Sequence, residues 1–171
     1  DILDAIDYVQ TTLGQPVERT ILIHAQMARP DQLQRMKELD VTPSFFVAHT
    51  YYWGNQYRDV LIGSQRANQI SPLRSAEKIG LRFSTHLDTP IVPMAPLLSA
   101  WSSVNRFTAT GVTLGEDERV SVTRALKAIT IDAAWQVHLD DEIGSLSVGK
   151  YADFTLLEEN PLLHPKELKD I

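Results

Sequence analysis

The chain contains no cysteine. That absence excludes a disulfide framework, a thiolate nucleophile and any cysteine-held zinc, so a bound metal would have to rest on histidine and carboxylate. It is also consistent with a reducing cytoplasm, the expected location. No apolar run approaches the length of a membrane span. Basic charge is short as well: 16 Lys and Arg face 22 Asp and Glu, for a net charge of −6. An acidic surface argues against nucleic acid as a partner, because phosphate binding needs a basic face. Glycine is sparse and scattered; Gly115, Gly144 and Gly149 do not form a phosphate loop.

What is present is the composition of a globular protein, 43% hydrophobic and 22% charged over 171 residues. The opening DILDAIDYVQTTLG has no basic leader, and Ile2, Leu3, Ile6, Val9 and Leu13 follow helical spacing. It reads as an amphipathic helix stopped at Gly14, cut from a longer chain. Three times a short apolar segment is followed by a helical one. TILIHAQ (20–26) precedes PDQLQRMKEL, with Leu33, Met36 and Leu39 as its stripe. TPSFFVAHTYYWGN (42–55) leads through a long connection to SPLRSAEKIG. LRFSTHLD (81–88) precedes PLLSAWSSVNRFT, with Pro96 placed as a first helical residue. Strands alternating with helices predict an α/β fold with a parallel sheet.

Beyond the loop-like stretch between Arg106 and Asp117, the pattern changes. Ser121 is a fair N-cap, and Val122, Ala125, Leu126, Ile129, Ala133 and Val137 predict one buried helical stripe. DEIGSLSVGKYADFTLLEENP then reads as two short strands turning at Gly144 and Gly149, outside the parallel sheet.

The chemistry gathers at strand ends. His24 follows TILI, His49 follows SFFVA, and His86 with Asp88 follows LRFST. Loops after the C-terminal ends of parallel strands carry the chemistry of such folds. Imidazole plus carboxylate suits zinc or a similar divalent ion, and an aspartate beside it can take a proton from activated water. A lone strand-end histidine is commonly structural; the alignment of three is what favours a site. Tyr51, Tyr52 and Trp53 offer a substrate-facing cluster or ordinary packing. His138 and His164 read as surface residues, and Asp153 as structural.

ALKAITIDAAWQVHLDDEIGSLSVGKYADFTLLEENP (125–161) resembles the C-terminal signature of the amidohydrolase superfamily. LIHAQ, AHTYYWGN, ISPLRSA, RFSTHLDTPIVPMAPL and ITIDAAW resemble one branch of it, which includes N-substituted formamide deformylase and exoenzyme regulatory proteins. The resemblance implies the C-terminal part of a (β/α)8 metallo-hydrolase barrel: strands six to eight with their helices over 1–138, and an incomplete return to a small β-sandwich over 139–171. It implies His24 and Asp88 as metal ligands, Asp88 also handling the proton of the attacking water. His49 takes a catalytic role toward substrate, and His86, Tyr51 and Trp53 take substrate-side roles. The implied cofactor is a divalent metal, zinc by preference, and the substrate a small amide-like molecule cleaved at a C–N bond. The family's first-strand His-x-His, fourth-strand bridge and fifth-strand histidine have no match here. This chain alone is therefore expected to bind metal weakly and to be inactive. Exposed barrel edges predict self-association. The alternative reading is a regulatory or binding protein on the same scaffold.

Overall fold

Leu33 and Met36 lie one helical turn apart, and both are almost fully buried, at 1% and 2% exposure. They sit on α2 (Pro30–Glu38), whose Pro30 is a first-turn proline and whose Gln32 side chain accepts from the Arg29 N–H. That helix crosses back over the sheet between β1 (Thr20–His24) and β2 (Val41–Phe45), which are therefore parallel. A second crossover, all helical, brings in the two-residue β3 (Ser84–Thr85), again parallel to β2. The strand order is β1-β2-β3, with Thr20 opposite Val41, His24 opposite Phe45, and Ser44 opposite Ser84. The computed structural model describes residues 2–15 and 17–171. The first helix, α1 (Ile2–Thr11), buries Leu3 and Ile6; Asp1, which the sequence pattern includes in it, lies outside the described residues.

The main core lies on the helical side of the sheet. Phe45 and Phe83 meet edge to face at 5.6 Å, and Leu33, Met36, Leu73 and Trp101 join them. α6 (Pro96–Asn105) begins at the expected proline and presents Leu98 and Trp101 to this core. Among the described residues, no helix is long and apolar enough to cross a membrane.

Three expectations change. The aromatic segment after β2 is not a loop: His49–Gln56 is α3, continued by a wider π-helical turn at Tyr57–Leu61 and by α4 (Gly63–Ala67). Gly54 lets α3 pack closely on Thr108, because a Cβ there would lie 2.8 Å from its methyl. The long helix foreseen after Ser121 is two helices, α7 (Val122–Ala128) and α8 (Ile131–Gln136), broken at Thr130, where ψ is −98°. α5 (Leu73–Lys78) is as foreseen.

The third change is the largest. Residues 139–171 carry no strand; they are turns and unpaired extended backbone. An isolated hairpin is marginal without a sheet to join. Here Leu146, Phe154 and Leu156 are 77%, 78% and 91% exposed, although Leu146 and Phe154 border an open groove with Ile129, Ala133 and Val137. The tail touches the rest of the chain at Asp140, which pairs with Arg19 at 2.6 Å, and again near its end, where Leu168 is fully buried beside α6.

Candidate metal centre

His24 is the last residue of β1, but its backbone leaves the strand abruptly. Its φ is 66° and that of Ala25 is 43°, and the Ala25 N–H donates to the Ile23 carbonyl at 2.9 Å across a three-residue turn. Asp88, beyond β3, is also left-handed, with φ 52°. Such backbone costs on the order of 1–3 kcal/mol per non-glycine residue and persists where surrounding structure holds it. Both turns lie at the C-terminal ends of parallel strands, and they bring side chains 64 residues apart in the chain to one place.

The ligand atoms of His24, His86 and Asp88 lie within 4.8 Å of one another. His24 Nε2 and Asp88 Oδ2 are 4.0 Å apart, too far to hydrogen-bond. The His24 and His86 ring centroids are 5.0 Å apart. His24 Nδ1 and His86 Nε2 are buried with no hydrogen-bond partner among the described residues. Buried polar atoms are normally satisfied, so unpartnered imidazole nitrogens beside a carboxylate fit a divalent cation. His86, foreseen as a substrate-side residue, has a donor atom within this group.

His49 stands beside the cluster rather than in it. Its ring is 5.9 Å from that of His24 and 4.1 Å from that of Phe46. Burial pushes its imidazole down to about 4, the charges of His24 and His86 add to this, and Asp88 opposes it. Burial, then the His24 charge, also lowers the His86 pKa, against Asp88 and the contact with Ser44. Both rings are therefore disposed to stay neutral at neutral pH, the form in which imidazole offers a lone pair.

Because the segment after His49 is helical, His49, Trp53 and Tyr57 form one stripe. The His49 ring lies 5.4 Å from Trp53 and 6.0 Å from Tyr57. These rings, with Phe46 and Ile91, line an open cleft of about 390 Å³ whose other walls are His24, Gln26 and Asp88. Tyr51 is not among them. Residues two positions apart on a helix, as Tyr51 is from His49 and Trp53, point about 200° apart, and Tyr51 packs instead on Trp101, 5.5 Å away, in the main core. Tyr57 and Gln26 were not foreseen. Tyr57 was legible only once the segment was read as a helix, and Gln26 lies two residues past His24. His138 is exposed, and His164 pairs with Glu159 at 3.3 Å.

A more enclosed cavity, of about 450 Å³, lies between α2 and α5. Arg29 there is paired with Asp31, and Glu118 bonds Ser75, so these charged groups already have local partners. The smaller, more open cleft is the one with chemistry in its walls.

The Amidohydrolase family model matches residues 1–171. N-substituted formamide deformylase of Arthrobacter pascens is 30% identical over 141 residues, covering 82% of this chain and 26% of that protein. Protein LONG AFTER FAR-RED 3 of Arabidopsis thaliana is 33% identical over 161 residues, 93% of this chain and 27% of that protein. A metal-dependent hydrolase structure from Pyrococcus horikoshii superposes with a TM-score of 0.74 at 28% identity, covering 93% of this chain and 32% of that one. The chain thus spans about a quarter of the length of these two curated relatives.

Proposed function

The chain belongs to the Amidohydrolase family, and we propose that it supplies part of the active site of a metal-dependent hydrolase cleaving a C–N bond in a small amide-like molecule. One observation carries this reading: the convergence of His24, His86 and Asp88 within 4.8 Å. His24 and Asp88 were the expected ligands, and His86 supplies the third donor that an open catalytic zinc site requires. When bound, a divalent ion, zinc by preference for this donor set, supplies Lewis acidity toward a carbonyl oxygen and lowers the pKa of water.

The chain's own residues have separate tasks. Asp88 is half-exposed at the cleft, where its carboxylate can take the proton released as water attacks and return it to the leaving nitrogen. His49, neutral because it is buried, is suited to donate a hydrogen bond to charge developing on the substrate. Trp53, Tyr57 and Phe46 give the cleft apolar walls, which suit an amide carrying an apolar nitrogen substituent.

Asp88→Asn in a chain of the relatives' length, assayed on a panel of N-substituted formamides, is expected to abolish turnover with retained fold. Metal content by elemental mass spectrometry accompanies it, with wild type near one metal per chain. Undiminished turnover of the variant would remove Asp88 from the chemistry. Absence of both metal and turnover in wild type would favour the binding-protein reading. The 171-residue chain on its own is expected to be inactive.

A further inference from the structure

Beneath the three-donor cluster runs a chain of buried polar side chains. Thr42 and Ser44 share one face of β2, Ser84 on β3 stands opposite Ser44, and α8 sends Gln136 into the space between them. Thr42, Ser44, Ser84 and Gln136 are each exposed by 5% or less. Water does not serve such groups, so each must find its partners within the chain.

The donors and acceptors can be counted from one fixed end. The Pro43 carbonyl only accepts, so the Gln136 atom 3.1 Å from it is the amide nitrogen Nε2. The other proton of that nitrogen meets Thr42 Oγ1 at 3.0 Å, and the Thr42 hydroxyl donates onward to the Thr20 carbonyl at 3.4 Å. Turning the amide over would set its oxygen against a carbonyl oxygen. Gln136 Oε1 therefore faces Ser84 Oγ at 2.5 Å and accepts. Ser84 has a single hydroxyl proton, and this contact takes it. Ser84 Oγ also stands in donor position toward Ser44 Oγ, 2.8 Å away, but one proton cannot serve both contacts. The Gln136 oxygen has no proton to offer in return and Ser44 does, so Ser84 donates to Gln136 and Ser44 donates to Ser84. With its own proton committed, Ser44 can only accept from His86 Nδ1, 3.0 Å away. Nδ1 carries the proton, and the lone pair falls on Nε2, the buried ring nitrogen without a partner.

We infer that Gln136 is a positioning residue: acting through Ser84 and Ser44, it holds His86 in the Nδ1–H tautomer and so presents Nε2 to a divalent cation shared with His24 and Asp88. Metal-ligating histidines are commonly oriented by a hydrogen bond on the second ring nitrogen. Here the orienting group is a hydroxyl, which can either donate or accept, and its direction is set two side chains away. The part of the inference that concerns the cation rests on the metal-centre reading; the tautomer does not.

The test separates them. In ¹⁵N-labelled, chelator-stripped protein at mildly alkaline pH, long-range proton–nitrogen correlation reads the tautomer of each ring. With five histidines in the chain, a His86→Gln spectrum assigns the signal. Wild type is expected to show His86 protonated on Nδ1. Ser84→Ala frees the Ser44 hydroxyl to donate to the ring and is expected to move His86 toward the Nε2–H form, with zinc affinity falling about tenfold or more. Gln136→Met is expected to act in the same direction. An Nε2–H ring in wild type, a measurement that needs no variant, would overturn the inference, as would an unchanged tautomer in folded Ser84→Ala. An Nδ1–H ring in a wild-type chain of the relatives' length that takes up no zinc would uphold the relay and overturn the metal centre.

Discussion

His49 is an imidazole whose surroundings refuse a proton. Its pKa of about 4 in the folded chain compares with 6.5 for a free histidine. As pH falls below 6.5, the unfolded chain takes up a proton that the folded one does not, so folding loses stability down to about 4 and levels off beneath it. Metal-stripped protein is expected to show that decline in its urea midpoint. His49→Gln is expected to make it shallower without removing it, because His86 is shifted in the same direction. An identical pH profile for the variant would mean that His49 is not held as described. Arg106 is the opposite case, a cation kept where water cannot reach it. Its guanidinium donates to the carbonyls of Leu114 at 2.7 Å, Ser71 at 3.0 Å and Ile70 at 2.6 Å. Burial lowers its pKa only to about 10, so it stays charged at neutral pH. Arg106→Met removes the Leu114 and Ile70 carbonyls' donor, while the Ser71 carbonyl keeps the Leu73 N–H at 2.8 Å, and is expected to cost about 2 kcal/mol or more in denaturant unfolding; a loss below about 1 kcal/mol would mean that the carbonyls find other partners. Gly115 completes this arrangement: with φ 69°, a Cβ there would lie 2.2 Å from the Asn68 carbonyl oxygen. The sequence marks it only as a scattered glycine.

Elements were legible where a short-range pattern decides them. Leu33, Met36, the prolines at the starts of α2 and α6, and the Ser121 cap on α7 all act within one helical turn. What stayed hidden depends on partners far along the chain. The close seat of α3 rests on Gly54 meeting Thr108, and two of the carbonyls that hold Arg106, in its loop-like stretch, lie some 35 residues upstream. For the site, strand-end position pointed to His24, His49, His86 and Asp88. It did not show that His86 joins the cluster or that Tyr51 turns away, since side-chain direction follows from helix phase. The tail follows the same rule. Its expected strands are absent, yet its end is held firmly: Trp101 Nε1 donates to the Lys166 carbonyl at 2.6 Å, Asn105 Nδ2 to the Pro165 carbonyl at 2.7 Å, and Leu168 is fully buried. Leu168→Ala is expected to cost about 2–4 kcal/mol and to shift Trp101 fluorescence to the red as water reaches its ring. A stability change confined to a few tenths would mean that the tail is not docked on α6.

At the scale of the molecule, the sheet has two open sides. Among the described residues, β1 pairs only with β2 on one flank and β3 only with β2 on the other, so each carries an outer row of backbone groups without a described strand beside it. Proteins blunt such edges with charge, proline or a cover. β1 is TILIH and has neither charge nor proline, and its Ile23 is 54% exposed. In the tail, Val148 is fully exposed and Phe154 and Leu156 largely so. Large exposed apolar side chains of this kind favour association where they gather into a patch. Self-association is the expected outcome, and its driving force decides what it should look like. Apolar burial is insensitive to salt, whereas pairing between charged faces weakens as salt rises. Sedimentation velocity over a roughly hundredfold concentration range should show mass rising with concentration by mass action, unchanged by added sodium chloride. Phe154→Asp with Leu156→Asp should shift it toward monomer if the tail forms the contact, while Ile23→Lys should do so if the β1 edge forms it. A single monomeric species across the whole range would remove self-association altogether. Association that dissolved in salt would move the contact to charged surface and leave both apolar faces without a role.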